Sequence, residues 1–140
     1  MNPFQSLANY ERFVYTLQAL HPSVQRSTLT LVRRGAKAAL LTGDLDVGVC
    51  RIVVREKLSF ADSVGQIISY GYEIWRGSTK LYWYDSQAHP NDPALASTHP
   101  HHKHIPPDIK HNRIPAPNLS FDAPNLPFLI QEVERLIEAH

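Results

Sequence analysis

Four of the chain's eight histidines fall within THPHHKH, the seven residues from Thr98 to His104: His99, His101, His102 and His104, with Lys103 between the last two. Imidazole has an ordinary pKa of about 6.5, so it gives or takes a proton near neutrality with little tuning. If this segment is extended, His102 and His104 share one face, with His101 and Lys103 opposite. Three roles are open. In the first, His102 and His104 form an acid–base pair for metal-independent RNA cleavage, in which the 2′-hydroxyl loses its proton and attacks its own phosphorus. The 5′-oxygen then leaves protonated, and Lys103 neutralises charge on the phosphorane. In the second, the H-x-H pair chelates zinc or nickel with help from His89, His99, His111 or Asp85, although none of these sits at a diagnostic offset. In the third, the imidazoles are surface polar groups closing loop carbonyls.

Three further features carry chemical potential. In WYDSQAHP, Asp85 ends an apolar run, where a carboxylate can orient an imidazole. His89 follows four residues later as another proton-transfer candidate. From Cys50 to Phe60 one parity reads Cys50, Ile52, Val54, Glu56, Leu58, Phe60, and the other carries Arg51, Arg55 and Lys57. Glu56 on the apolar parity has to be hydrogen-bonded or shifted in pKa, as a structural network or a catalytic acid, with Tyr70 and Tyr72 as its expected partners. Arg51, Arg55 and Lys57 can contact RNA phosphates, with Tyr72 among the aromatics available for stacking bases. A solvated basic strand face is the plainer alternative. Cys50 reads as inert packing.

The elements that must position these residues follow from patterning. A chain of 140 residues is expected to form one domain with one core. Its 43% hydrophobic and 19% charged content suits a water-soluble protein, and no apolar run reaches the roughly 20 residues a bilayer span requires. The start, MNPFQSLANYERF, lacks a signal-peptide pattern, and the single cysteine excludes an internal disulfide, so a cytoplasmic location is expected. A net charge of +1 leaves nucleic-acid binding to local patches. Asn2, Pro3 and the apolar spacing from Phe4 to Leu20 predict a helix. Strands are predicted at 28–32, 38–42 with a break at Gly43-Asp44, 47–60, 67–75 and 80–85, the last pair flanking a hairpin at Arg76–Thr79. Short connections make these an antiparallel meander. From His89 the periodicity is lost in a proline-rich stretch that Ile105, Ile109, Ile114, Leu119 and Phe121 are expected to anchor. A closing helix follows, capped by Asn125 and buried through Leu126, Leu129, Ile130, Val133, Leu136 and Ile137. The expected fold is α+β: about five antiparallel strands with N- and C-terminal helices packed on them and a long proline-rich excursion. It divides into 1–88, 89–125 and 126–140.

Four blocks in order, VVREKLSF, ISYGYEIW, LYWYDSQAHP and HPHHKH, give the chain a family resemblance. The chain resembles the TumE-type toxins of bacterial toxin–antitoxin pairs over about residues 50 to 104. Arg55-Glu56 match the first block; Tyr70, Tyr72 and Glu73 the second; Tyr84, Asp85 and His89 the third; Pro100, His101, His102 and His104 the fourth. In the third block Ala88 stands where the family has proline, and Pro90 where it has a second histidine; if that histidine is needed, the protein is either weakened or uses His99 or His111 instead. His99 also replaces the aromatic residue of the last block. The resemblance implies a toxin with a cognate antitoxin partner and supplies no mechanism. A candidate endoribonuclease, a non-catalytic RNA- or antitoxin-binding protein, and a metal-binding protein using His89, His102, His104 and Asp85 all remain open, as does a homodimer. No cofactor is expected under the first two.

Overall fold

The computed structural model describes residues 2–139. After a 3-10 turn at Pro3–Gln5 come helices α1 (Leu7–Tyr15) and α2 (Leu17–Leu20). Strands β1 (Val24–Ser27), β2 (Thr30–Arg33), β3 (Ala38–Val47), β4 (Cys50–Ser59), β5 (Gln66–Arg76) and β6 (Thr79–Asp85) follow. A second 3-10 turn at Pro93–Thr98, strands β7 (His102–His104) and β8 (Arg113–Pro115), and helix α3 (Leu126–Ala139) complete the chain. All strand pairs are antiparallel. The sheet runs β3-β4-β5-β6-β7-β8, with β1 and β2 both lying along the outer side of β3.

Among the described residues the strands therefore number eight rather than about five. Two additions, β7 and β8, lie inside the proline-rich segment, where three residues are too few to show a period. Their connections are held by Leu95, Ala116 and Leu119, each at most 6% exposed, whereas the expected anchor Ile114 is 40% exposed. The Thr98 hydroxyl stitches the segment together, donating to the His101 carbonyl and accepting from the Ala116 amide. The third addition, β1, arises because the edge strand is broken in two. At the break Thr28 exchanges hydrogen bonds with Asp44, and Gly43 sits at φ +139. β3 therefore passes through Gly43 instead of ending there, and the expected 47–60 run is interrupted by a Gly48-Val49 turn. A Cβ on Gly43 would lie 2.5 Å from the Thr28 carbonyl oxygen. Gly43→Ala is expected to cost about 2 kcal/mol, read as a lowered urea midpoint with unchanged slope.

The N-terminal helix is also subdivided. Asn2 accepts from the Phe4 amide over the 3-10 turn, and Ser6 starts afresh by accepting from the Asn9 amide. Phe4, Leu7, Tyr10, Val14 and Leu17 are buried as the spacing predicted, but Leu20 is exposed. Asn125 does not cap α3 with its side chain. Its buried amide donates to the Ser120 carbonyl and the Tyr72 hydroxyl, and accepts from the Ser120 amide. Along α3, Leu126, Leu129, Ile130 and Val133 are fully buried, while Leu136 and Ile137 are partly so.

The helices cover one sheet face, whose core includes Ile52, Val54, Leu58, Tyr72, Ile74, Tyr82 and Tyr84. Each fully buried aliphatic or aromatic side chain there contributes roughly 1.5–3 kcal/mol. The other face carries Arg51, Arg55, Lys57, Glu73, Trp75, Trp83, Asp85, His102 and His104, because side chains alternate and antiparallel partners share a face. Among the described residues no helix is long and apolar enough to cross a membrane.

Candidate functional site

Strand pairing assembles the site. β7 lies beside β6 so that His102 pairs with Asp85 and His104 with Trp83. The same row continues through Gly71 of β5 to Arg55 of β4, and on the outer side β8 sets Arg113 opposite His104. Gly71 has no side chain, so the Arg55 guanidinium lies across it, where a Cβ would stand 2.6 Å from Nη2. Arg55, Trp83 and Asp85 line one depression of about 380 Å³. His89 and Arg113 line another of about 320 Å³. A larger depression, about 470 Å³ between Val49, Leu81, Leu136 and Ile137, contains none of these groups.

At the centre, His102 Nε2 lies 2.8 Å from Asp85 Oδ1 and 3.1 Å from His104 Nε2. His104 Nε2 is 3.4 Å from Asp85 Oδ2. His102 is 1%, His104 4% and Asp85 7% exposed, so the cluster sits below the surface. His102 Nδ1 lies 3.0 Å from the Pro100 carbonyl and His104 Nδ1 2.9 Å from the Ile109 carbonyl. A carbonyl only accepts, so each Nδ1 carries its hydrogen and each Nε2 turns inward. Two Nε2 lone pairs and a carboxylate cannot face one another unaided. They require one cation between them, which is either a proton or a metal ion. Trp83 closes the outer side by stacking on His104, ring centroids 3.9 Å apart.

The local fields separate the two imidazoles. Burial lowers the pKa of His102, but the hydrogen bonds to Asp85 and Pro100 and the carboxylate charge outweigh it and raise the pKa overall. His104 is lowered, chiefly by burial, against the attraction of Asp85. Burial opposes ionisation of Asp85, yet its bonds with His102 and the Gln87 amide and its two imidazole neighbours hold it below the ordinary value.

The remaining predicted residues divide. His89 meets His102 edge to face, ring centroids 4.8 Å apart, and both its ring nitrogens lie within 2.8 Å of Arg113 Nη1. Its pKa is lowered by burial, by Arg113 and by His102. Lys103 lies on the opposite face of β7, 3.4 Å from Glu132 and over the Tyr82 ring, so it does not share the cluster's space. Tyr72 is fully buried and cannot stack a base; its hydroxyl donates to Glu56. Glu56 is on that same helix-covered face, bonded by Tyr10 and Tyr72, and the partner role expected of Tyr70 falls to Tyr10. Tyr70 instead pairs its hydroxyl with His101 Nδ1 at 2.6 Å. His99 is exposed, and His111 meets Asp108 at the surface, so neither fills the place of the missing family histidine.

Arg51, Arg55 and Lys57 are exposed on the open face as expected. Arg51 lies 5.7 Å from the Trp75 ring, and Lys80 lies between Trp75 and Trp83. The geometry corrects one expectation directly. Acid and base for an in-line displacement must stand on opposite sides of phosphorus, whereas His102 and His104 converge on one point with both nitrogens of each ring engaged. Arg113 is the site residue the sequence reading missed. Only the β7–β8 register brings it beside the cluster, and nothing in its local sequence signals that register.

A family model described as Toxin TumE matches residues 12–137. No curated protein and no solved structure matches the chain.

Proposed function

We propose, from the premise that the chain belongs to the TumE toxin family, that it is the toxin of a toxin–antitoxin pair and that it cleaves RNA at the Asp85–His102–His104 centre. The supporting observation is the position of this cluster at the end of an open sheet face carrying Arg51, Arg55, Lys57, Trp75 and Trp83. The cytoplasm, where RNA and a cognate antitoxin both occur, is its place of action.

The centre acts as a fixed dipole, with one positive charge on the imidazole pair set against the Asp85 carboxylate. One proton shared between His102 and His104, and balanced on its far side by Asp85, stabilises the charge that grows on the phosphorane. Arg113 and Arg55, flanking the cluster on β8 and β4, hold non-bridging phosphate oxygens, which replaces the part first expected of Lys103. His89, kept neutral by burial and by Arg113, takes the 2′-hydroxyl proton once Arg113 turns from its ring to the phosphate. His89 therefore takes the base's part alone, the departing 5′-oxygen takes its proton from water on the opposite side of phosphorus, and the buried pair supplies electrostatics, so no metal is required for this step.

The open face is tested by salt dependence. Arg55→Ala and Lys57→Ala are each expected to weaken binding of a single-stranded RNA and to reduce the log–log salt slope by roughly 0.7 per lost phosphate contact. Arg51→Ala is expected to do less, since Arg51 already faces Asp44. Unchanged slopes in both variants would remove this face from RNA binding. The reaction centre is tested by comparing RNA cleavage by wild-type and Asp85→Asn protein.

A further inference from the structure

We propose that Asp85, His102 and His104 form a binding site for one divalent transition-metal ion of the zinc class, which takes the seat of the shared proton. The inference goes beyond the cleavage reading and does not depend on it.

Three observations carry it. The first is the triangle of donor atoms. Its sides are 2.8 Å from His102 Nε2 to Asp85 Oδ1, 3.1 Å between the two Nε2 atoms and 3.4 Å from His104 Nε2 to Asp85 Oδ2. An ion bonded at about 2.0–2.1 Å to nitrogen and oxygen ligands has neighbouring donors about 3 Å apart, so the trio fits an ion just out of its plane with little movement. The second is ring orientation. Both Nδ1–H groups are fixed by main-chain carbonyls, of Pro100 and Ile109, which leaves both Nε2 lone pairs directed inward. Such outer bonds set the tautomer a metal-bound imidazole needs. The third is the local structure around the donors. The rings sit on one three-residue strand locked to β6, and Trp83 covers His104, so the ligands are held before any ion arrives.

Two imidazoles and one carboxylate match borderline ions such as zinc, cobalt or nickel better than calcium or magnesium, which favour oxygen donors. Three protein ligands leave coordination positions free, as in metal sites that take water or a phosphate oxygen. The ligand set keeps Asp85, His102 and His104 of the set expected from sequence and leaves out His89. His89 is engaged by Arg113 and meets His102 edge to face.

The test uses the full chain stripped with a chelator and then titrated with Co²⁺, followed by visible absorption, with Zn²⁺ as competitor. The expected result is one equivalent of Co²⁺ giving d–d bands of a nitrogen/oxygen site, displaced by one equivalent of Zn²⁺. Asp85→Asn, His102→Gln and His104→Gln should each weaken binding at least about a hundredfold. His111→Gln, which alters only a surface imidazole, should leave it unchanged. Absence of saturable binding to folded wild-type protein overturns the proposal, as does equal affinity in all three ligand variants. Because the readout contains no RNA, its failure is distinct from failure of the cleavage reading. Metal bound without RNA cleavage refutes only the latter. RNA cleavage that needs His102 in protein unable to bind Co²⁺ refutes only the former.

Discussion

Replacing His102 with alanine is expected to reduce RNA cleavage, and growth arrest on expression, by at least about a hundredfold. No other ring meets so many parts of the centre: Asp85 at 2.8 Å, His104 at 3.1 Å, the Pro100 carbonyl at 3.0 Å and the ring of His89. Removing it takes away one of the two rings that hold the cation and leaves the Asp85 carboxylate, only 7% exposed, without its main partner. An unpaired buried charge is itself destabilising by about 3–5 kcal/mol, so lost activity in this variant alone could reflect unfolding. Asp85→Asn separates the two effects. The amide has nearly the same shape and no charge to strand, and it no longer balances a positive imidazole pair. Its melting temperature is expected to stay within a few degrees of wild type while cleavage falls by a similar factor. Lys103→Ala provides the contrast, since that ammonium faces Glu132 and Tyr82 across the sheet. Cleavage by this variant is expected to remain within about threefold of wild type. Full activity in Asp85→Asn, measured on folded protein against a labelled RNA, would end the assignment of this centre.

The contrast between Lys103 and Arg113 shows how far the sequence could be read. The placement of His102 and His104 on one face and Lys103 on the other follows from the two-residue period of an extended chain, and β7 has that arrangement. The same rule argued against Lys103 as a neighbour of the pair. The two parities from Cys50 to Phe60 were equally legible: Cys50, Ile52, Val54, Glu56, Leu58 and Phe60 are buried, while Arg51, Arg55 and Lys57 are exposed. Tyr72 was misplaced because its role depended on the register between β4 and β5. That register pairs it with Val54 on the helix side. Arg113 lay further out of reach. Its approach to the cluster needs β8 to form, and a three-residue strand containing proline has no periodic signature. Long strands declare their faces locally. Short edge strands acquire theirs from the neighbour they join, here β6, whose end is fixed by Asp85.

Glu56 is expected to make folding stability fall as pH rises from about 4.5 to about 7, by an amount on the order of 3 kcal/mol. Complete burial raises its pKa from 4.5 to about 7, while the Tyr10 and Tyr72 hydroxyls, both donating to it, resist that rise. In the unfolded chain the carboxyl ionises near its ordinary value. Between the two values the folded state therefore binds more protons than the unfolded state, and raising the pH favours unfolding. The contribution is fully present below the unfolded value, declines through the window and is lost above the folded value. Other carboxylates act in the opposite sense, Asp85 among them, so the bare stability curve of the wild type mixes several groups. Glu56→Gln isolates this one. Glutamine keeps the volume and one acceptor for the two tyrosines, loses the second, and does not titrate. Its stability relative to wild type, from urea unfolding at matched pH, is expected to rise by about 3 kcal/mol between pH 4 and pH 8. The sheet separates Glu56 from the histidine cluster, so RNA cleavage per folded molecule should be unaffected by the substitution. A stability difference that stays constant across this range would mean that Glu56 ionises at its ordinary pKa in the folded protein. The hydrogen bonds of Tyr10 and Tyr72 would then be stabilising a buried anion, with Asn125 supporting Tyr72 from behind.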